Sequence, residues 1–144
     1  MPWVFEQSTG KLFQPDGKQF ALGHAGRDEH LNNPASQCLI NRGPIPRGNW
    51  RMTVLHNAGS VGNVRAQNPL QVPQSHGLYN SRYIIRLMPL TGTHVCGRSG
   101  FLIHGGGIDA SQGCIIVNDP FMRKIIWNSG DRELRVVEAL GNTP

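Results

Sequence analysis

Apolar and polar positions alternate in short runs along most of the chain, and turns rich in glycine, proline or asparagine separate the runs. Trp3 to Gln7 reads as a strand, Ser8-Thr9-Gly10 as a turn, and Lys11 to Phe13 as a second strand. Gln14-Pro15-Asp16-Gly17 places turn-forming residues in succession, and Lys18 to Leu22 would then complete a hairpin. The polar stretch Gly23 to Arg42 has neither strand nor helix periodicity and carries His24, His30, Asn32-Asn33-Pro34 and Cys38. Its length predicts a functional or covering loop. Beyond the stiff turn Gly43 to Gly48, Asn49 to His56 is an apolar-rich strand, followed by a glycine- and asparagine-rich connection from Asn57 to Asn80. Arg82 to Met88, Phe101 to His104 and Gly113 to Val117 read as β segments, and Glu133 to Glu138 as the last strand. Trp3 and Trp50 are most simply core residues.

Helical spacing occurs once. Asp119 can cap free N–H groups, Pro120 suits the first helical position, and Phe121, Met122, Ile125 and Ile126 fall on one face. Ser129-Gly130 supplies the stop, so a short helix is expected near Pro120–Asn128. The pattern shows no internal repeat and no linker. It predicts a mainly β fold in a single domain over residues 1–144.

Composition narrows the class. Glycine (18) and proline (10) make up about a fifth of the 144 residues, which excludes helical bundles because both residues are costly in helix interiors. An apolar content of 38% with a net charge of +5 excludes a disordered chain. The 14 lysines and arginines are scattered, with no run of three, so specific nucleic-acid binding is not expected. The start of the chain lacks the basic and apolar regions of a signal peptide. No apolar stretch is long enough to span a bilayer, so stable membrane insertion is not expected either. Three cysteines (Cys38, Cys96, Cys114) allow at most one intramolecular disulfide and leave one thiol over.

The chemistry concentrates in Phe101 to Asn118, FLIHGGGIDASQGCIIVN. A strand delivers His104 into three glycines, and Cys114 follows Gly113 at the start of another apolar strand. Thiolate is the reactive form of cysteine, and a neighbouring imidazole is the usual means of generating it at neutral pH. Glycines let substrate approach the backbone, and the N–H groups of Gly113 and Cys114 could face an oxyanion. Ser111 or Asp109 could orient the far nitrogen of His104 or shape the loop, and so could a backbone carbonyl. Arg98, three residues before the FLIH strand, could meet a substrate carboxylate. The other histidines, His24, His30, His56 and His76, have no partner at diagnostic spacing.

Two readings from different classes remain open. One is nucleophilic catalysis by His104 and Cys114 with no metal and no cofactor. The other is a non-catalytic zinc- or cell-wall-binding module in which His94, Cys96, His104 and Cys114 supply the ligands. The second lacks the Cys-x-x-Cys knuckle of most structural zinc sites.

His104, Gly107, Ser111, Gly113, Cys114 and Ile115 form His-x-x-Gly followed by Ser-x-Gly-Cys-Ile, which resembles the active-site signature of L,D-transpeptidase-like proteins. The order, histidine before cysteine, opposes papain-like and NlpC/P60 peptidases. The gap of ten residues, and Gln112 where housekeeping members carry a second histidine, resemble the type VI secretion L,D-transpeptidase effectors. Trp3 with Gln7–Gly10, Asn32-Asn33-Pro34, and Gly43-Pro44-Ile45-Pro46 with Gly48 are also similar to that branch. The resemblance covers most of residues 1–140 and finds no counterpart for Asn57 to Asn80.

The resemblance implies a β-sandwich-like catalytic fold and an antibacterial effector that acts on peptidoglycan. His104 would be the base and Cys114 the nucleophile, with Ser111 and Gly113 completing the catalytic set and Gly107, Asp109 and Arg98 on the substrate side. The substrate would be the tetrapeptide stem. The activity would be L,D-carboxypeptidase removal of terminal D-alanine, or L,D-transpeptidase exchange for a D-amino acid. The implied partners are a type VI secretion component and a cognate periplasmic immunity protein. The protein would be made in the cytoplasm and act in the periplasm of target cells. Cys38 and Cys96 would then be the pair free to oxidise there.

Overall fold

The computed structural model describes residues 2–56, 83–105 and 113–140. Strands β1 (Trp3–Glu6), β2 (Lys11–Phe13) and β3 (Gln19–Leu22) form the expected antiparallel meander. A two-residue strand, β4 (His24–Ala25), follows, and then β5 (Gly48–His56), β6 (Ile84–Pro89), β7 (Leu102–His104), β8 (Ile115–Ile116) and β9 (Glu133–Val137). One α-helix, α1, is found among the described residues and spans Pro120–Asn128. The fold is mainly β, as the sequence predicts.

The nine strands of the described residues belong to one sheet in the order β3-β2-β1-β9-β5-β6-β7-β8-β4. The last strand, β9, lies parallel to β1 and antiparallel to β5, joining the first hairpin to the rest. The two edges, β3 and β4, are consecutive in sequence and separated only by Gly23, so the sheet nearly closes on itself. Gly23 sits at this seam, donating its N–H to the Gly10 carbonyl 2.8 Å away. A Cβ on Gly23 would lie 2.0 Å from the Ile116 carbonyl oxygen, so the seam closes only around a residue with no side chain.

The stretch from Gly23 to Arg42, expected as irregular loop, thus begins with a strand. Its two residues are too few to show a period of two. The remainder holds two short 3-10 turns, Asp28–His30 and Pro34–Ser36, the second capped by the Asn33 side chain accepting from the Ala35 N–H.

Inward-facing residues of every long strand form the main core, which includes Trp3, Phe5, Leu12, Trp50, Met52, Ile85, Ile103, Ile115, Leu134 and Val136. Trp50 packs edge-on against Phe101 with ring centroids 4.9 Å apart, and its indole N–H donates to the Pro46 carbonyl. Ile84, Leu102 and Cys114 form a second, separate cluster.

The helix forms where predicted, with Asp119 accepting from the Phe121 N–H and Pro120 in the first turn. Its buried face differs from the expected one. Ile126 is buried and Met122 partly so, but Phe121 and Ile125 are 62% and 53% exposed. The fully buried side chain beside Ile126 is Arg123, whose Nη1 donates to the carbonyls of Val117 (2.5 Å) and Asn118 (3.2 Å) while Nε donates to Tyr83 (3.2 Å). Satisfying these carbonyls turns the 122/123/126 side of the helix inward and leaves the 121/125 stripe on the surface.

Candidate active site

β7 and β8 run parallel, with Ile103 opposite Ile115 and His104 opposite Ile116. Paired residues share a face of the sheet and side chains alternate along a strand. Ile103 and Ile115 therefore point into the main core. Leu102, His104, Cys114 and Ile116 belong to the opposite face, in keeping with the separate packing of Leu102 and Cys114 against Ile84. His104 and Cys114 thus lie on adjacent strands and on one face. The Val117 N–H donates to the His104 carbonyl at 2.9 Å, which extends the pairing past β8.

His104 is buried, 4% exposed, and its Nδ1 lies 2.6 Å from the Gly105 carbonyl oxygen. A carbonyl can only accept, so Nδ1 carries the proton and Nε2 is the basic nitrogen of the neutral ring. A backbone carbonyl, one of the three groups that the sequence leaves open for orienting this histidine, is thus in contact with it. The other two, Ser111 and Asp109, lie outside the described residues.

Cys114 is 9% exposed and is the one cysteine outside a disulfide. Its Sγ lies 3.6 Å from the Gly100 carbonyl oxygen, an acceptor for an S–H. Burial pushes the thiol up to about 11, while a main-chain hydrogen bond from Leu102 and the charge of Arg98 pull the other way. The resting group at neutral pH is the thiol.

Arg98 is buried and near enough to this sulfur to act on it electrostatically. Nη1 donates to the carbonyls of Gln37 and Pro44, the latter at 2.8 Å, and Nη2 donates to Gly43 at 2.9 Å. The guanidinium also stacks over the Phe101 ring, 5.2 Å from its centroid. Burial lowers its pKa, and the proximity of Cys114 raises it. Gly113 packs directly on this group: a Cβ there would sit 2.3 Å from Arg98 Nη2, and its φ of +122° is itself a glycine conformation. The segment entering β8 therefore rests on the guanidinium.

Gly107, Asp109 and Ser111, expected beside the substrate or His104, lie outside the described residues, as do Gln112, His76 and the 57–82 connection. The zinc set expected from His94, Cys96, His104 and Cys114 does not assemble. Cys96 is bridged to Cys38, with Cα atoms 5.2 Å apart, and His94 lies with those two cysteines rather than with His104 or Cys114.

Two contributors have no clear sequence signal. Arg123 anchors Val117 and Asn118 just past β8, and its only mark in the sequence is a charge beside an apolar helical stripe. His24, assigned no role from the sequence, pairs with Ile116 across β4–β8 and so shares a row with His104.

A family model described as the Tlde1 domain matches residues 19–140. The chain belongs to this family. It is a domain of type VI secretion effectors of the L,D-transpeptidase kind, whose substrate is peptidoglycan. No curated protein matches the sequence. Within the Tlde1 domain match lie β3 through β9, both parallel-paired site strands and α1, whereas β1 and β2 precede it. No helix among the described residues of this Tlde1 chain is long and apolar enough to cross a membrane.

Proposed function

We propose that the protein is a cysteine-dependent L,D-carboxypeptidase and L,D-transpeptidase acting on tetrapeptide stems of peptidoglycan. The observation that carries this reading is the placement of His104 and Cys114 on adjacent parallel strands and one face, with Nδ1 of His104 committed to the Gly105 carbonyl. Nε2 is then the nitrogen that carries the lone pair of the neutral ring. Because the buried thiol is protonated at rest, attack begins with proton transfer rather than from a standing thiolate.

Nε2 of His104 takes the Cys114 proton as Sγ bonds to the carbonyl carbon of the meso-diaminopimelate residue. The N–H groups of Gly113 and Cys114 stabilise the resulting oxyanion. The tetrahedral intermediate collapses to a thioester, and the imidazolium returns the proton to the amine of the departing D-alanine. Water then attacks the thioester with His104 again as base, giving the tripeptide and regenerating the thiol. A D-amino acid attacking in place of water gives exchange.

Ser111, Asp109 and Gly107 are assigned to the substrate side on resemblance alone. Arg98, expected at a substrate carboxylate, is assigned instead to positioning, because its guanidinium nitrogens hold the carbonyls of residues 37, 43 and 44 beneath Gly113. The protein would be made in the cytoplasm, pass through a type VI secretion component and act in the target periplasm. A cognate periplasmic immunity protein blocking access to Cys114 would protect siblings.

Mass analysis of purified muropeptides tests the reading. Wild-type protein should convert tetrapeptides to tripeptides, or to D-amino-acid-exchanged tetrapeptides when a D-amino acid is supplied. Cys114→Ala should lose the activity by about a thousandfold or more, and His104→Ala by about a hundredfold or more. Tetrapeptides left intact by folded wild type would refute it.

A further inference from the structure

We propose that Cys38, Cys96 and His94 form a Zn2+ site when the two cysteines are reduced, and that closing the Cys38–Cys96 disulfide expels the metal. One potential ligand atom from each of the three residues lies within 4.8 Å of the others. With Zn–S near 2.3 Å and Zn–N near 2.1 Å, tetrahedral geometry needs donor atoms roughly 3.5 to 3.8 Å apart. Opening the S–S bond and shifting each donor by under about an ångström reaches that spacing. Two thiolates and an imidazole are a donor set that suits zinc, and water can fill the fourth position because Cys38 and His94 are exposed.

The two segments stay together without the disulfide. Arg98, two residues past Cys96, donates to the carbonyl of Gln37, the neighbour of Cys38, and to those of Gly43 and Pro44. The Gln37 side-chain oxygen in turn accepts from the Arg47 N–H at 2.9 Å and from Gln7 Nε2 at 3.2 Å. None of these bonds uses a sulfur. Reduction therefore leaves two thiols and an imidazole side by side on a scaffold already built, which is the preorganisation that a metal site needs.

The chemistry balances. In a reducing compartment the disulfide does not persist, and binding Zn2+ to the dithiol releases two protons. On meeting a disulfide of another thiol, the bound dithiolate and two protons yield the Cys38–Cys96 bridge, two molecules of the reduced thiol and free Zn2+. The same two segments are thus clipped by metal before oxidation and by sulfur after it. The proposal does not depend on the reaction at Cys114, whose sulfur contacts Gly100 and packs with Leu102 and Ile84.

Co2+ titration of the metal-free, reduced Cys114→Ala variant tests it, since the remaining thiols are then Cys38 and Cys96. The expected result is a thiolate-to-cobalt charge-transfer band saturating at one Co2+ per chain, abolished by Zn2+ competition and by prior oxidation. His94→Ala, which keeps both thiols, should weaken binding by at least about tenfold, since losing a ligand costs no less than losing the group that orients one. Cys38→Ser should remove the band. If Cys38→Ser does not fold, His94→Ala decides the question alone, because its oxidised form retains the bridge. A reduced protein with no band, or one whose binding is unchanged by His94→Ala, would overturn the proposal.

Discussion

Two buried arginines hold the two ends of the short segment that carries Cys114, and they do so in different ways. Arg98 supports its beginning from a loop: the guanidinium lies under Gly113, ties down residues 37, 43 and 44, and is near enough to Cys114 to bias its titration. Arg123 supports its end from a helix, accepting the charge of Asp119 as its partner and binding the carbonyls of residues 117, 118 and 83. Burial lowers both, Arg123 to about 10. The difference teaches that the same device, a desolvated cation satisfying backbone carbonyls, can be purely architectural at one end of a strand and electrostatically coupled to a buried thiol at the other.

Arg123→Met should have the largest effect on stability, about 3 kcal/mol or more, because it leaves buried carbonyls without a donor. Denaturant unfolding would measure it. Arg98→Met should cost about 2 to 3 kcal/mol for the same reason. It should also raise the pH at which Cys114 becomes alkylated by iodoacetamide, which Arg123→Met should not do. Equal alkylation profiles for the two variants would erase the distinction drawn between them.

The thiol itself links stability to pH. Its folded pKa of about 11 lies above the ordinary 9.0, so folding favours the protonated form. That contribution is complete below pH 9 and is lost as pH rises through 11, because the unfolded chain ionises first. The loss should be about 2 to 3 kcal/mol, and Cys114→Ala should flatten this alkaline limb. Arg98→Met should steepen it.

Gly113→Ala should cost about 2 kcal/mol from the φ of +122° and the collision with Arg98, and should slow thiol alkylation by displacing the guanidinium. In an Arg98→Met background part of that penalty should vanish, which a double-mutant cycle would read. The smallest effect is expected on the outer face of α1. Phe121→Ser should change stability by less than about 0.5 kcal/mol, whereas Ile126→Ala should cost about 3 kcal/mol.

The sequence revealed elements with local signatures. The β1–β3 meander is legible in alternation and in Pro15–Gly17. Helix α1 is legible in Asp119-Pro120 and Ser129-Gly130. The histidine and cysteine of the site stand out because glycines surround them, and the family match bears out the resemblance read from those residues. What was not legible depends on contacts between distant segments. β4 is two residues long and exists only because β8 pairs with it. The inward turn of Arg123 is set by three carbonyls that no periodicity encodes. The Cys38–Cys96 bridge forms between the pair that the resemblance leaves free to oxidise, but that these positions, 58 residues apart, lie close is something no local pattern shows.

The single-residue step at Gly23 has a further consequence. A sheet with two free edges offers two templates for pairing with a neighbour, whereas here the chain spends one residue to bring both edges to the same place. The clasp of the hoop is also its thinnest part, since β4 and β8 have two residues each. Thermal opening should therefore begin there rather than in the β5–β6–β9 belt, and amide exchange at Ala25 and Ile116 should lead that at Trp50 and Leu134. The strand next to this clasp is the one that ends in His104.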